Sequence, residues 1–170
     1  MITAQMERRD EAFLSLLERG VYGHPNSPYR RLLEHFGISL EDVRALIQKL
    51  GLEGALSELY DRGVYMTLEE FKGRRPVERD GLRFNVRASD FDNPFLAAHY
   101  AGATSGTRGV ASRVLIDLDF LEYDAAHLLC FLDANTATGR PVGVWRVGPP
   151  GSDGLRGILR YAKLGNMPQR

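Results

Sequence analysis

The sequence has a single cysteine, Cys130, so no disulfide can close within one chain, and the expected compartment is the cytoplasm, where thiols stay reduced. It has no surplus of either charge: 22 basic side chains face 22 acidic ones, with a pI near 6.9. A dedicated nucleic-acid binder carries a basic excess, so nucleic acid is not an expected partner, although one small basic pocket stays open. No apolar run reaches the roughly 18 residues of a membrane-spanning helix, so no membrane partner is expected. The opening stretch "MITAQMERRDEAFLSLLERG" is charged and lacks the apolar centre of a signal peptide, and its acidic residues argue against a targeting helix. Internal repeats and low-complexity tracts are missing. The four histidines, His24, His35, His99 and His127, show no metal-ligand spacing, so no metal-binding residue is assigned. At 170 residues the chain is one domain or a large part of one, and it can bury about 70% of its unfolded surface.

What is present divides by texture. The first 72 residues read as helices. Phe13, Leu16 and Leu17 recur at helical spacing, with Gly20 as the expected stop. Ser27 and Pro28 read as an N-cap followed by proline at the first helical position, with Gly37 as terminator. "SLEDVRALIQKLG" carries a cap at Ser39 with Asp42 three residues on, and an apolar face of Val43, Leu46, Ile47 and Leu50. "LEGALSELYDRG" ends at Gly63, and Thr67 with Glu70 caps a short helix.

After Gly73 the punctuation changes. "RRPVERDG" reads as a loop and "LRFNV" as a strand. "AAHYAGA" reads as a buried strand, "SRVLIDL" as a second strand, and "DFLEYDAAHLLCFLDANTATG" as a helix with Leu121, Ala125, Leu128, Leu129 and Leu132 on one side. "PVGVWRVG" reads as a strand and "LRGILRYAKLG" as an amphipathic helix. The alternation of strands and helices predicts α/β layering. Two segments of one structural unit are therefore expected: a helical N-terminal segment, 1–73, and an α/β segment, 74–170.

Between the two central strands lies "AGATSGTRGVASR", residues 101–113. Glycines let backbone N–H groups approach and converge, hydroxyls add donors, and an arginine adds a charged fork, which together suit a polyphosphate. The plainer reading is a Gly/Ser/Thr connection between two strands. The Walker spacing is not met, and neither is the dinucleotide fingerprint, because a strand rather than a helix follows. Other candidates have plain structural roles as first reading. Cys130 fits a buried packing position, Trp145 a core or sheet-face aromatic, and Ser152 or Asp153 a helix cap, with an anion at that helix start as the alternative. His99 is the histidine to examine for substrate contact, and Arg74 or Arg75 the basic-run residue to examine for an anion.

"YAGATSGTRG" resembles the phosphate-binding loop of adenylate-forming enzymes, through Thr104, Ser105, Gly106, Thr107 and Gly109. Upstream, "NSPYRRLLEHFGISLEDV" and "LYDRGVYMTLEEFKG" are similar, in the same order, to early segments of the phenylacetate–CoA ligase and acyl-protein synthetase branch of that superfamily. The resemblance covers most of residues 22–113. It implies that the segment grips the β- and γ-phosphates of ATP while a carboxylate attacks the α-phosphate, usually with Mg²⁺, giving an acyl-adenylate. Arg108 stands at the family's second threonine, and Ala111 and Ser112 at its proline and lysine, with Arg113 one place later.

The expectation is thus an α/β chain whose second half holds the first strands and helices of an adenylate-forming-type domain, incomplete because only 57 residues follow Arg113. Thr104, Ser105, Gly106, Thr107, Arg108 and Gly109 are the expected nucleotide-binding residues, ATP and Mg²⁺ the implied cofactors, and catalytic residues stay unassigned. The function implied is the N-terminal portion of an AMP-forming acyl-CoA ligase or acyl-protein synthetase-like enzyme, inactive alone, taking a nucleotide and a carboxylic acid when complete. The alternative is a non-catalytic interaction or regulatory module that associates with itself or a protein partner through an exposed sheet edge.

Overall fold

The computed structural model describes residues 2–97, 99–103, 113–146 and 152–165. The chain divides into two units, Ala4–Phe95 and Leu96–Arg170 with the first three residues. No helix among the described residues is long and apolar enough to cross a membrane.

The Ala4–Phe95 unit is built where capping chemistry places its helices. After α1 (Ile2–Glu7), α2 (Arg9–Leu16) runs without a break into a π turn at Leu17–Tyr22. Gly20 therefore does not stop the helix. A glycine inside a helix costs only about 1 kcal/mol, and continuing the helix carries Leu17 into the core, with Val21 and Tyr22 packed against it. Tyr22 Oη donates to the Ile38 carbonyl at 2.8 Å, and burial, reinforced by Asp42 and Glu34, pushes its pKa up to about 12. Ser27 and Pro28 open α3 (Pro28–His35), and Gly37 ends it at a positive φ of 63°. Ser27 occupies the cap position without a side-chain cap bond.

Ser39 and Asp42 form a reciprocal capping box at the start of α4 (Leu40–Asp61). Gly51, at φ 72° and ψ 172°, breaks α4 into the two helical stretches that the sequence punctuates. Val43, Ile47, Ala55 and Leu59 from both stretches join Leu17, Leu33 and Ile38 in one core cluster. A second box, Thr67 with Glu70, opens α5 (Leu68–Phe71).

"RRPVERDG" is not a loop throughout. Val77–Arg79 is strand β1, paired antiparallel with β2 (Leu82–Phe84). Asp80 and Gly81 between them have φ of 39° and 87°, the positive pair of a type I′ hairpin turn that Asp-Gly favours. Only every second residue of so short a strand need be apolar, which is why charges hid it. Val77 is fully buried and packs with Leu32 of α3 and with Val86, so the hairpin belongs with the helices.

Arg79 locks that hairpin in place. Its guanidinium grips Glu70 in a two-point fork, Nη1 to Oε1 at 2.7 Å and Nη2 to Oε2 at 3.0 Å. It also donates to the carbonyls of Gly63 and Tyr65 and lies 4.0 Å over the Tyr65 ring. Both side chains of the pair are about nine-tenths buried.

The second unit carries β3 (Tyr100–Ala103) and β4 (Arg113–Ile116), paired antiparallel, then α6 (Leu121–Ala134) and α7 (Ser152–Lys163). β3 is only partly buried. Asp124 of α6 ties the two helices. It accepts from Arg156 Nε at 3.0 Å and Nη2 at 2.7 Å, and from Arg160 Nη1 at 3.4 Å. Burial pushes the Asp124 pKa up, but these two guanidiniums prevail and hold it below the ordinary carboxylate range.

Residues 141–146 form neither helix nor strand, and Trp145 is 98% exposed, against the expectation of a core strand. A strand needs a neighbour for its N–H and C=O groups, and among the described residues β3 and β4 pair only with each other. For the same want of cover Leu129 and Cys130 of α6 are exposed, while Leu121 and Ala125 are buried. The protein thus combines helices with two small antiparallel sheets.

Candidate functional site

The expected phosphate-binding residues Thr104, Ser105, Gly106, Thr107, Arg108 and Gly109 lie outside the described residues, as do the side chains of Ser152 and Asp153. What is described is their frame. The ladder runs Tyr100↔Ile116, Ala101↔Leu115, Gly102↔Val114 and Ala103↔Arg113. Directly paired residues of an antiparallel ladder sit about 5 Å apart, so Ala103 and Arg113, which flank segment 104–112, are held side by side. Gly102 belongs to the ladder rather than to the segment. Arg113 opens β4 at the mouth of the hairpin, opposite Ala103.

The other end of the hairpin is locked by Asp117. Its Oδ2 accepts the Ala97 amide at 2.9 Å, and its Oδ1 accepts the amides of Asp119 at 2.7 Å and Phe120 at 3.2 Å. Burial pushes the carboxyl pKa up, but the three backbone N–H donors outweigh it and the pKa is lowered. One carboxylate thereby fastens the entry to β3 and satisfies N–H groups in the turn leading into α6. His99 Nδ1 lies 3.7 Å from Asp117 Oδ1 and accepts the Leu118 amide at 3.1 Å. His99 stands just before β3, at the Tyr100↔Ile116 end of the ladder.

The remaining candidates disperse. Arg74 pairs with Glu69 at 3.0 Å in the other unit. His127 Nδ1 lies 2.8 Å from the Tyr123 carbonyl, and His35 packs edge-on against Phe36. No group of three or more His, Cys, Asp or Glu side chains gathers to hold a metal among the described residues. The residues that composition did not single out are Asp117 and the Asp124, Arg156 and Arg160 cluster. A signal for the first exists in "IDLDF", an aspartate at a strand-to-helix junction. The second announces itself only as two arginines four apart.

Removing the Asp117 carboxylate by Asp117→Ala is expected to speed hydrogen exchange at the Ala97, Asp119 and Phe120 amides ahead of the rest of the unit. No protein-family model, curated protein or solved structure matches this chain.

Proposed function

We propose that this chain is the N-terminal portion of an ATP-dependent, carboxylate-activating ligase of the adenylate-forming type, holding polyphosphate at Thr104, Ser105, Gly106, Thr107, Arg108 and Gly109 and unable to turn over alone. The observation that supports it is the ladder end Ala103↔Arg113. A segment rich in glycine and hydroxyls is bracketed by two hydrogen-bonded strands, and a turn held by Asp117 leads on to α6. Glycine amides and hydroxyls are the donor types that can converge on a phosphate group. Arg108 and Arg113 supply the guanidinium charge that the family places on lysine, as forks that can chelate two phosphate oxygens. Mg²⁺ is the ion the resemblance implies beside those phosphates, and no group of three or more acidic side chains gathers for it among the described residues. The chain's own contribution is to bind and orient the phosphates while a carboxylic acid approaches the α-phosphorus.

A second reading is a non-catalytic interaction module. It is favoured by the exposed apolar side chains of the second unit, Leu129, Phe131, Val142, Val144 and Trp145.

Calorimetric titration with pyrophosphate and with ATP separates the two readings. Saturable binding is expected, weakened about tenfold by Arg108→Ala, the loss of roughly one charge-assisted contact, with no ATP–pyrophosphate exchange over a panel of carboxylic acids. Absence of binding by the full chain overturns the ligase reading and leaves the module.

A further inference from the structure

A cluster of cationic side chains lies in the same unit, on α7 and the 142–146 segment. The 142–146 segment and α7 flank an open cleft of about 560 Å³, lined in part by Val144, Trp145, Arg146, Arg156, Arg160 and Tyr161. Arg156 and Arg160 stand four apart on α7, on one face of the helix. Asp124 occupies only part of their donor capacity. It takes Nε and Nη2 of Arg156 and Nη1 of Arg160. The Nε of Arg160 is buried without a hydrogen-bond partner. Arg146 forms no ion pair among the described residues. These three guanidiniums and the Asp124 carboxylate carry a net charge of +2.

We propose that this cleft binds a phosphate monoester carried on a planar ring. The charge selects the head group: a phosphate monoester near neutral pH carries about −1.5 to −2, which matches the surplus, whereas a carboxylate carries one charge. The fork geometry of arginine suits the phosphate oxygens. The aromatic side chains select the rest. Trp145, almost wholly exposed, and Tyr161 offer rings against which a planar group can stack while the phosphate reaches the guanidiniums. The proposal does not depend on the ligase reading, because none of these residues lies in segment 104–112.

Trp145 is the chain's only tryptophan, so its emission reports on the cleft directly. The full chain is titrated with phenyl phosphate, AMP, inorganic phosphate and benzoate. Saturable quenching by phenyl phosphate or AMP is expected, and which of the two binds tighter distinguishes a phosphorylated phenol from a nucleotide. Benzoate is expected to bind at least tenfold more weakly, and inorganic phosphate to displace the ring-bearing ligand. Arg156 and Arg160 also fasten α6 to α7, so the deciding variant is Arg146→Ala, expected to weaken binding about tenfold. Gly106→Val is expected to leave it unchanged. Emission that no phosphate monoester alters at millimolar concentration overturns the proposal. So does equal affinity for benzoate, an undiminished affinity in Arg146→Ala, or loss of binding in Gly106→Val.

Discussion

Replacing Arg79 by methionine is expected to destabilise the Ala4–Phe95 unit by about 3–5 kcal/mol, the cost of removing one partner from a buried ion pair. The reason is not the attraction lost but the charge left behind. Glu70 would keep a carboxylate in a largely dry site with only the Thr67 amide and hydroxyl, at 2.7 and 2.9 Å, to solvate it. The carbonyls of Gly63 and Tyr65 would lose their donor in the same step. The pH dependence carries the same signature. The Arg79 fork, with the Thr67 donors, lowers the Glu70 pKa from 4.5 to about 2 against the opposing effect of burial. A carboxyl depressed in the folded state contributes stability that is complete above its unfolded pKa and disappears as pH falls through the folded one. The window is therefore pH 4.5 down to about 2, and the amount about 3 kcal/mol, at 1.36 kcal/mol per pKa unit. Urea unfolding followed by helical circular dichroism at pH 7 and pH 3 measures both. Arg79→Met should lower the pH 7 midpoint strongly, and Glu70→Gln should flatten the acid limb. A midpoint unchanged in Arg79→Met would show that the pair does not hold the hairpin.

Leu32→Ala is the second large effect, at about 2–5 kcal/mol. Leu32 is fully buried and packs with Val77 and Val86. Truncation removes its transfer free energy and leaves a cavity that a helix on one side and a strand on the other cannot close. Its position gives the loss a direction. Leu33, the next residue, faces the other core cluster with Leu17, Ile38 and Val43. Leu32→Ala should therefore raise hydrogen exchange in β1 and β2 before α4, whereas Leu33→Ala should loosen the helices first. Uniform loss of protection in both variants would mean that the two clusters unfold as one.

How much of this could be read along the chain differs by element, for physical reasons. Ser39 with Asp42, and Thr67 with Glu70, were legible as caps because a cap is satisfied within four residues, and both boxes form. Gly37, Gly51 and Gly63 were legible as breaks, and each takes a positive φ. Gly20 was misleading because a helix tolerates one glycine when its neighbours gain burial. The β1 strand was hidden by its charges, since Glu78 faces solvent while Arg79 turns inward to Glu70. Trp145 was misplaced because an apolar hexamer becomes a strand only when another strand lies beside it. Of the candidate site, the paired strands β3 and β4 were legible from their apolar runs and the turn residues between them. The Asp117 clamp and the Asp124–Arg156 tie were not, since they join residues 20 and 32 positions apart.

The sequence by itself determined where the helices of the first half begin and break, and that two short strands flank a glycine-rich segment, because capping, glycine conformation and apolar periodicity act over a few residues. Only the tertiary structure decided which charges are buried together, which apolar side chains are left in water, and that three arginines meet beside Trp145. Those outcomes depend on the dielectric and the neighbours that other segments supply.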